Sequence, residues 1–183
     1  PIAAHKPGVT EAAEAVVARL KAAGVRVKGD FSDNSPGWKF AEWEMKGVPV
    51  RLELGPRDIE NGQCVCARRD SGEKVTLPLE NLEESIPALL EAVQQGLFDK
   101  AKRNLDEHTY TASTVDEVKD VIENRGGGFV ETMWCGDEAC ELKMKELAGV
   151  TSRCIPFDQK HVGDVCPVCG KPAQKMIVWG VAY

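Results

Sequence analysis

Four of the seven cysteines stand in two close pairs, Cys135 and Cys140 in "WCGDEAC" and Cys166 and Cys169 in "CPVCG". Spacings of C-x4-C and C-x2-C suit two facing loops that close four thiolates around one tetrahedral zinc ion, with Gly136 and Gly170 supplying the backbone freedom such knuckles need. Four thiolates leave no open position for water or substrate, so the zinc is expected to be structural, contributing on the order of 10 kcal/mol to a domain with a thin core. A thioredoxin-like redox role for "CPVC" would require a strand before it and a helix after it, whereas a terminal strand follows. His161, in the loop before that pair, is a surplus ligand because four cysteines suffice; Cys64, Cys66 and Cys154 read as core thiols.

A second group of chemically able residues lies in "SPGWKFAEWEMKGVPVRLELGPRD". With Trp38 to Lys46 helical, Phe40 and Glu44 share a face at i, i+4, and Arg51 projects from the following strand away from Val50, Leu52 and Leu54. Arg57 and Asp58 come just past that strand's end. A ring, a carboxylate and guanidinium groups at the edge of an α/β sheet can stack on unpaired bases and read their edges. The carboxylate suits the N1 and N2 donors of guanine, and arginine suits its O6 and N7 acceptors. A plainer reading of the same residues stands beside this one: Phe40 and Trp43 as core aromatics, and Glu44, Arg51, Arg57 and Asp58 as surface ion pairs of little energetic worth.

The elements that must position these groups are legible from periodicity. "TEAAEAVVARLKAAG" reads as a helix with Thr10 as N-cap, an apolar stripe of Ala13, Val16, Val17 and Leu20, and Gly24 at its end. The opening residues read as the tail of a strand, and "VRVKGD" as a second strand. The helix of the Phe40 segment, closed by Gly47, and the strand "VPVRLEL" follow. "GPRDIENGQ" is a turn-rich connection, and "CVCARR" and "EKVTLPL" form a hairpin through "DSG". From Leu82 to about His108 the positions Ile86, Leu89, Leu90, Val93, Leu97, Ala101 and Leu105 recur at three and four residues, a long amphipathic helix bridging two halves. Beyond it, Thr114 and Glu117 have capping-box spacing, "FVETMW" is strand-like, "DEACELKMKELAG" helical, "SRCIP" a short strand and "KMIVWGVAY" a terminal one. The order predicts an α/β fold: a mixed sheet flanked by helices over residues 1–108, then a small α+β zinc-binding domain over residues 109–183.

Composition narrows the partners. The 183 residues carry a formal net charge of −6, so a nucleic-acid partner cannot be held by bulk attraction and recognition must be local. No stretch approaches the ~20 apolar residues of a membrane helix, and no signal-peptide pattern opens the chain. With an odd cysteine count and no export signal, the expected compartment is the reducing cytoplasm. The chain opens on proline rather than methionine, which suggests a piece of a longer polypeptide.

In combination and in order, "PIAAHKPGV", the Phe40 segment, "WCGDEAC", "TSRCIPF", "CPVCGKPA" and the closing "VAY" resemble the C-terminal half of the prolyl-tRNA synthetase family, in the form shared by archaea, eukaryotes and some bacteria. The resemblance implies an anticodon-binding α/β domain followed by a zinc-binding domain. By motif it implies anticodon contacts from Phe40, Glu44, Arg51, Arg57 and Asp58, with Lys74 of the hairpin added, and zinc ligands at Cys135, Cys140, Cys166 and Cys169. Arg57 stands where some relatives carry lysine. Proline anticodons always present two guanines, which matches the inventory of arginine and carboxylate. The family also commonly ends in a tyrosine whose carboxylate approaches the catalytic domain, an ending matched by Tyr183.

The family's enzymes are generally homodimers that activate proline with ATP and Mg in a catalytic domain upstream, then pass it to the proline tRNA. No segment of that kind, no P-loop and no nucleophile elbow is present here, so this stretch alone is not expected to aminoacylate. The alternative is a stand-alone zinc-containing module that binds RNA or protein.

Overall fold

In the computed structural model, residues 1–182 are described, and they form two units, 1–100 and 101–182. Tyr183, with its expected carboxylate role, lies outside the described residues.

In the first unit, helices α1 (Val9–Ala22) and α2 (Pro36–Met45) precede strand β1 (Val50–Glu53), a short helix α3 (Pro56–Glu60) and the hairpin β2 (Gln63–Arg68) and β3 (Lys74–Pro78). Helix α4 (Leu82–Glu107) closes the unit, and the division between units falls within it. The alternation of β1 is realised in the register Arg51↔Ala67 and Glu53↔Val65, with Lys74 opposite Ala67 on the far side of β2. Arg51 and Glu53 therefore share one sheet face, and Leu54 goes to the core with Ala13, Val16 and Leu20 of α1, Cys64 and Cys66 of β2, and Leu82 and Ile86 of α4.

Four expectations need correction here. The sheet of this unit is antiparallel, in the order β1-β2-β3, rather than mixed. Neither the opening residues nor Val25–Asp30 form a strand: Val25 and Val27 pack on the core, but among the described residues their backbone has no ladder partner, and alternation without a neighbour does not make a strand. The N-cap of α1 is Gly8 and not Thr10, whose hydroxyl donates to the Ala4 carbonyl at 3.3 Å. The turn-rich connection after β1 contains α3, started by Pro56 at its first position, where a missing N–H costs nothing.

The second unit contains β4 (Thr109–Thr111), α5 (Val115–Asn124), β5 (Phe129–Trp134), α6 (Glu138–Ala148), β6 (Thr151–Cys154) and β7 (Lys175–Gly180), with sheet order β4-β5-β7-β6. Here the sheet is mixed: β4 and β5 are parallel, joined through α5, while β7 is antiparallel to both β5 and β6. Strand β4 escaped the sequence reading because three residues directly after a long helix carry too little periodicity. The capping box at Thr114 forms as expected, the threonine accepting from the Glu117 N–H while Glu117 accepts from the Thr114 N–H. Val118, Val121, Val130, Met144, Val150, Ile177 and Trp179 fill the core, and the Trp179 indole donates to Thr132 Oγ1 at 2.9 Å. Cys154 is exposed rather than buried, because β6 is an edge strand whose register slips between Ser152 and Cys154, so alternation no longer predicts which way a side chain faces.

Candidate metal centre and nucleic-acid interface

The second unit brings the two cysteine pairs together. Strand β5 ends at Trp134 and delivers Cys135; the chain then turns at Gly136, and Asp137 caps α6 by accepting from the Ala139 N–H at 3.0 Å. That start places Cys140 in the first turn of α6. The opposing knuckle is closed by the Gly170 N–H donating to the Cys166 carbonyl and the Cys166 N–H to the Lys171 carbonyl, both at 2.9 Å. Gly170 has φ +71°, a left-handed conformation that costs a glycine little and strains other residues. The four Sγ atoms all lie within 4.8 Å of one another, with Cys135 and Cys169 3.7 Å apart. Zn–S bonds of about 2.3 Å in a tetrahedron require sulfur separations of about 3.8 Å, so the donor set fits that ion in number, type and spacing.

The thiols are unequal. The Lys171 N–H, donating to Cys169 Sγ, pulls that thiol down to about 7, while burial pushes the Cys140 thiol up, aided by Cys169 and Cys135. A cation shared by all four would offset the burial cost, since thiolates rather than thiols bind a metal. His161 stands outside the group and pairs with Asp164 at 3.0 Å. Cys64 and Cys66 are fully buried in the first unit's core, as expected.

In the first unit, Ser35 caps α2 by accepting from the Trp38 N–H, and this start sets Phe40 and Glu44 on the face turned to β1. The Arg51 guanidinium lies 3.8 Å from the centroid of the Phe40 ring, a stacked cation–π contact. Arg51 Nη1 donates to Glu44 Oε1 at 2.6 Å, and its Nε and Nη2 donate to Glu53 Oε1 at 3.1 and 2.9 Å. Lys74 reaches across the sheet and donates to Glu53 Oε2 at 3.1 Å. The Arg69 Nε holds the Glu44 carbonyl at 3.0 Å. Phe40, Glu44, Arg51 and Lys74 thus form one linked cluster, with Phe40 half-buried beneath the guanidinium rather than sealed in the core.

Arg57 and Asp58 stand apart from this cluster, on α3. Arg57 is exposed, while the Asp58 carboxylate accepts from the Gly55 N–H at 2.8 Å and so caps α3. Among the described residues, no hydrogen bond or ion pair joins either to the Arg51 group. The residue the sequence reading passed over is Glu53; its i+2 spacing from Arg51 on a strand is the available signal. Behind the cluster, Trp43 packs against Lys28 and Lys46, 4.8 and 4.5 Å from its ring, and donates to Asp30 at 2.7 Å.

The first unit thus carries a sheet face with a stacked arginine flanked by carboxylates, and the second a cluster of four cysteines that could hold a metal ion. Residues 1–89 match the family described as an anticodon binding domain, and residues 115–183 the family described as prolyl-tRNA synthetase, C-terminal. The first segment is therefore similar to anticodon binding domains and the second to the C-terminal region of prolyl-tRNA synthetases. Over all 183 residues the chain is 53% identical to a proline–tRNA ligase of Clostridium novyi, which it covers to 38%. It is 51% identical to a proline–tRNA ligase of Lachnospira eligens and 51% to proline–tRNA ligase 2 of Bacillus cereus, again spanning 100% of this chain and 38% of each relative. The chain thus spans 38% of the length of the curated relatives it matches. No helix among the described residues is long and apolar enough to cross a membrane.

Proposed function

We propose that the chain recognises the anticodon of proline tRNA within a proline–tRNA ligase whose catalytic domain, upstream, uses ATP and Mg to activate proline. The observation that carries this reading is the Phe40–Arg51 stack flanked by Glu44, on the unit that matches the anticodon-binding family. Guanine presents two donors on its Watson–Crick edge and two acceptors on its Hoogsteen edge, and Glu44 with Arg51 offers the complement to both. The Phe40 ring supplies the stacking platform beneath them. Lys74 extends the positive rim, and Arg57 and Asp58 on α3 reach a neighbouring nucleotide. By engaging two guanines, the face raises the occupancy of correctly oriented tRNA at a remote active site.

In this reading residues 1–108 are the anticodon-binding domain and residues 109–183 the zinc-binding one. Zinc, held by Cys135, Cys140, Cys166 and Cys169, supplies a fixed cross-link and no reaction chemistry. The complete enzyme is a cytoplasmic homodimer.

The test is a split between two assays on the complete ligase. Arg51→Ala or Glu44→Ala should lower kcat/KM for tRNA charging by about tenfold or more, while proline-dependent ATP/pyrophosphate exchange stays at the wild-type rate. Equal loss in both assays would mean misfolding, and no loss in either would remove the cluster from recognition.

A further inference from the structure

Arginine carries five N–H donors, and in this structure they are unequally committed. The Nε and Nη2 edge of Arg51 is taken by Glu53 Oε1, and Nη1 gives one hydrogen to Glu44. The two carboxylates differ in setting. The Glu53 side chain is 12% exposed and is tied from its other oxygen by Lys74, whereas the Glu44 side chain is 57% exposed and makes a single contact with the arginine. Water can take the place of Arg51 at Glu44 at little cost; it cannot do so at Glu53, whose charge is mostly withdrawn from solvent.

From this asymmetry we infer that Glu53 is the positioning residue of the base-reading face. It clamps the guanidinium by its inner edge over Phe40, and so presents the outer Nη1 and Nη2 hydrogens to the O6 and N7 atoms of a guanine, while Glu44 is the exchangeable partner that leaves the arginine for the base. The inference rests on the anticodon reading above and adds to it a residue that touches no base itself. The geometry supports the division of labour in three ways. Glu53 and Arg51 are two residues apart on the same face of β1, so their relative placement is fixed by the strand and not by a flexible loop. Glu53 Oε2 is occupied by Lys74, so the carboxylate cannot rotate away without breaking a second ion pair. The Phe40 ring beneath blocks the guanidinium from tilting inward. A side chain as long as arginine loses much rotamer freedom when it binds a base, and a clamp already in place before binding lessens that loss.

Binding of RNA stem-loops to the full chain tests this. The probes are a loop with the anticodon UGG, the same loop with both guanines replaced by adenine, and versions in which each guanosine in turn is 7-deazaguanosine, lacking the N7 acceptor. Wild type should prefer the guanine loop and lose about tenfold in affinity at one of the 7-deaza positions. Glu53→Gln, and Glu53→Asp, which keeps the charge but shortens the reach, should melt as wild type does yet show that 7-deaza penalty reduced to about threefold or less, because an unclamped Arg51 no longer favours N7.

A full penalty in both variants overturns the inference, as does a wild type that prefers guanine with no 7-deaza penalty; both results leave the anticodon reading standing. Retention of the penalty by Glu53→Asp alone would mean that charge and not placement matters, and overturns it too. Failure of both variants to fold makes Glu53 a folding residue and removes the positioning role. A wild type indifferent to the adenine replacement sinks the anticodon reading itself.

Discussion

Asp30 shows how a single side chain behind the Arg51 cluster sets a pH limit. Hydrogen bonds from the Ser32 hydroxyl and the Trp43 indole, opposed in part by burial, lower its carboxyl from 3.8 to about 2. A carboxylate depressed in the folded state contributes stability that is fully present above its unfolded value and lost as pH falls through the folded one. The expected window is therefore between about pH 4 and pH 2, with a loss of about 1 kcal/mol once solvent screening is allowed for. Melting curves over that range should show a steeper decline for wild type than for Asp30→Asn, which lacks the titration. In the other unit, Thr132→Val would strand the buried Trp179 N–H and should cost about 1–3 kcal/mol by denaturant unfolding. At this scale the sequence revealed residue types better than roles. Phe40, Glu44 and Arg51 were recognisable because i, i+4 on a helix and alternation on a strand fix which way they face, but the ion pairs that decide what Arg51 does depend on a cross-sheet neighbour, Lys74, that no local pattern connects to Glu53.

Some elements whose signal is local were read correctly, and Val25–Asp30, whose status depends on a distant partner, was not. The Thr114 capping box, the α2 helix ending near Gly47 and the β2–β3 hairpin each carry their instructions within a few residues. Val25–Asp30 alternates as a strand should, but its status depends on a neighbouring backbone that periodicity cannot report. The edge position of β6 likewise hid the exposure of Cys154. The start of β5 offers a prediction at this scale. Gly128 has φ +133°, and a Cβ there would stand 2.3 Å from the His108 carbonyl oxygen, at the point where the Phe129 N–H donates to that same carbonyl at 2.8 Å. Backbone cannot yield as a flexible side chain would. Gly128→Ala should therefore destabilise the second unit by about 3 kcal/mol or more, with early amide exchange at β4 and β5, whereas Gly126→Ala, with open space around its Cβ, should cost less. Thr114→Ala should cost about 1 kcal/mol in the same unfolding measurement.

Each unit has its own buried cluster, so the molecule should not unfold as one cooperative body. Stripping the metal with a chelator, or Cys166→Ser, should shift the transition of the second unit to lower temperature and leave that of the first in place; a single shifted transition would contradict the independence of the two cores. The long α4 pattern reads from the sequence as a bridge between two halves, and the division at Lys100 falls within that helix, where the apolar stripe runs on without interruption. One feature of the first unit reaches beyond stability. On the face we propose for recognition, Arg51 and Lys74 are already paired with Glu44 and Glu53, on a chain whose net charge is −6. A partner polyanion that meets such a face displaces few condensed cations from its own atmosphere. A plot of log affinity against log ionic strength should therefore be shallow, with a slope of magnitude about 1–2, where a surface making 6–10 free phosphate contacts would give one several times steeper. Discrimination among loops should survive salt that would release a protein held by its basicity.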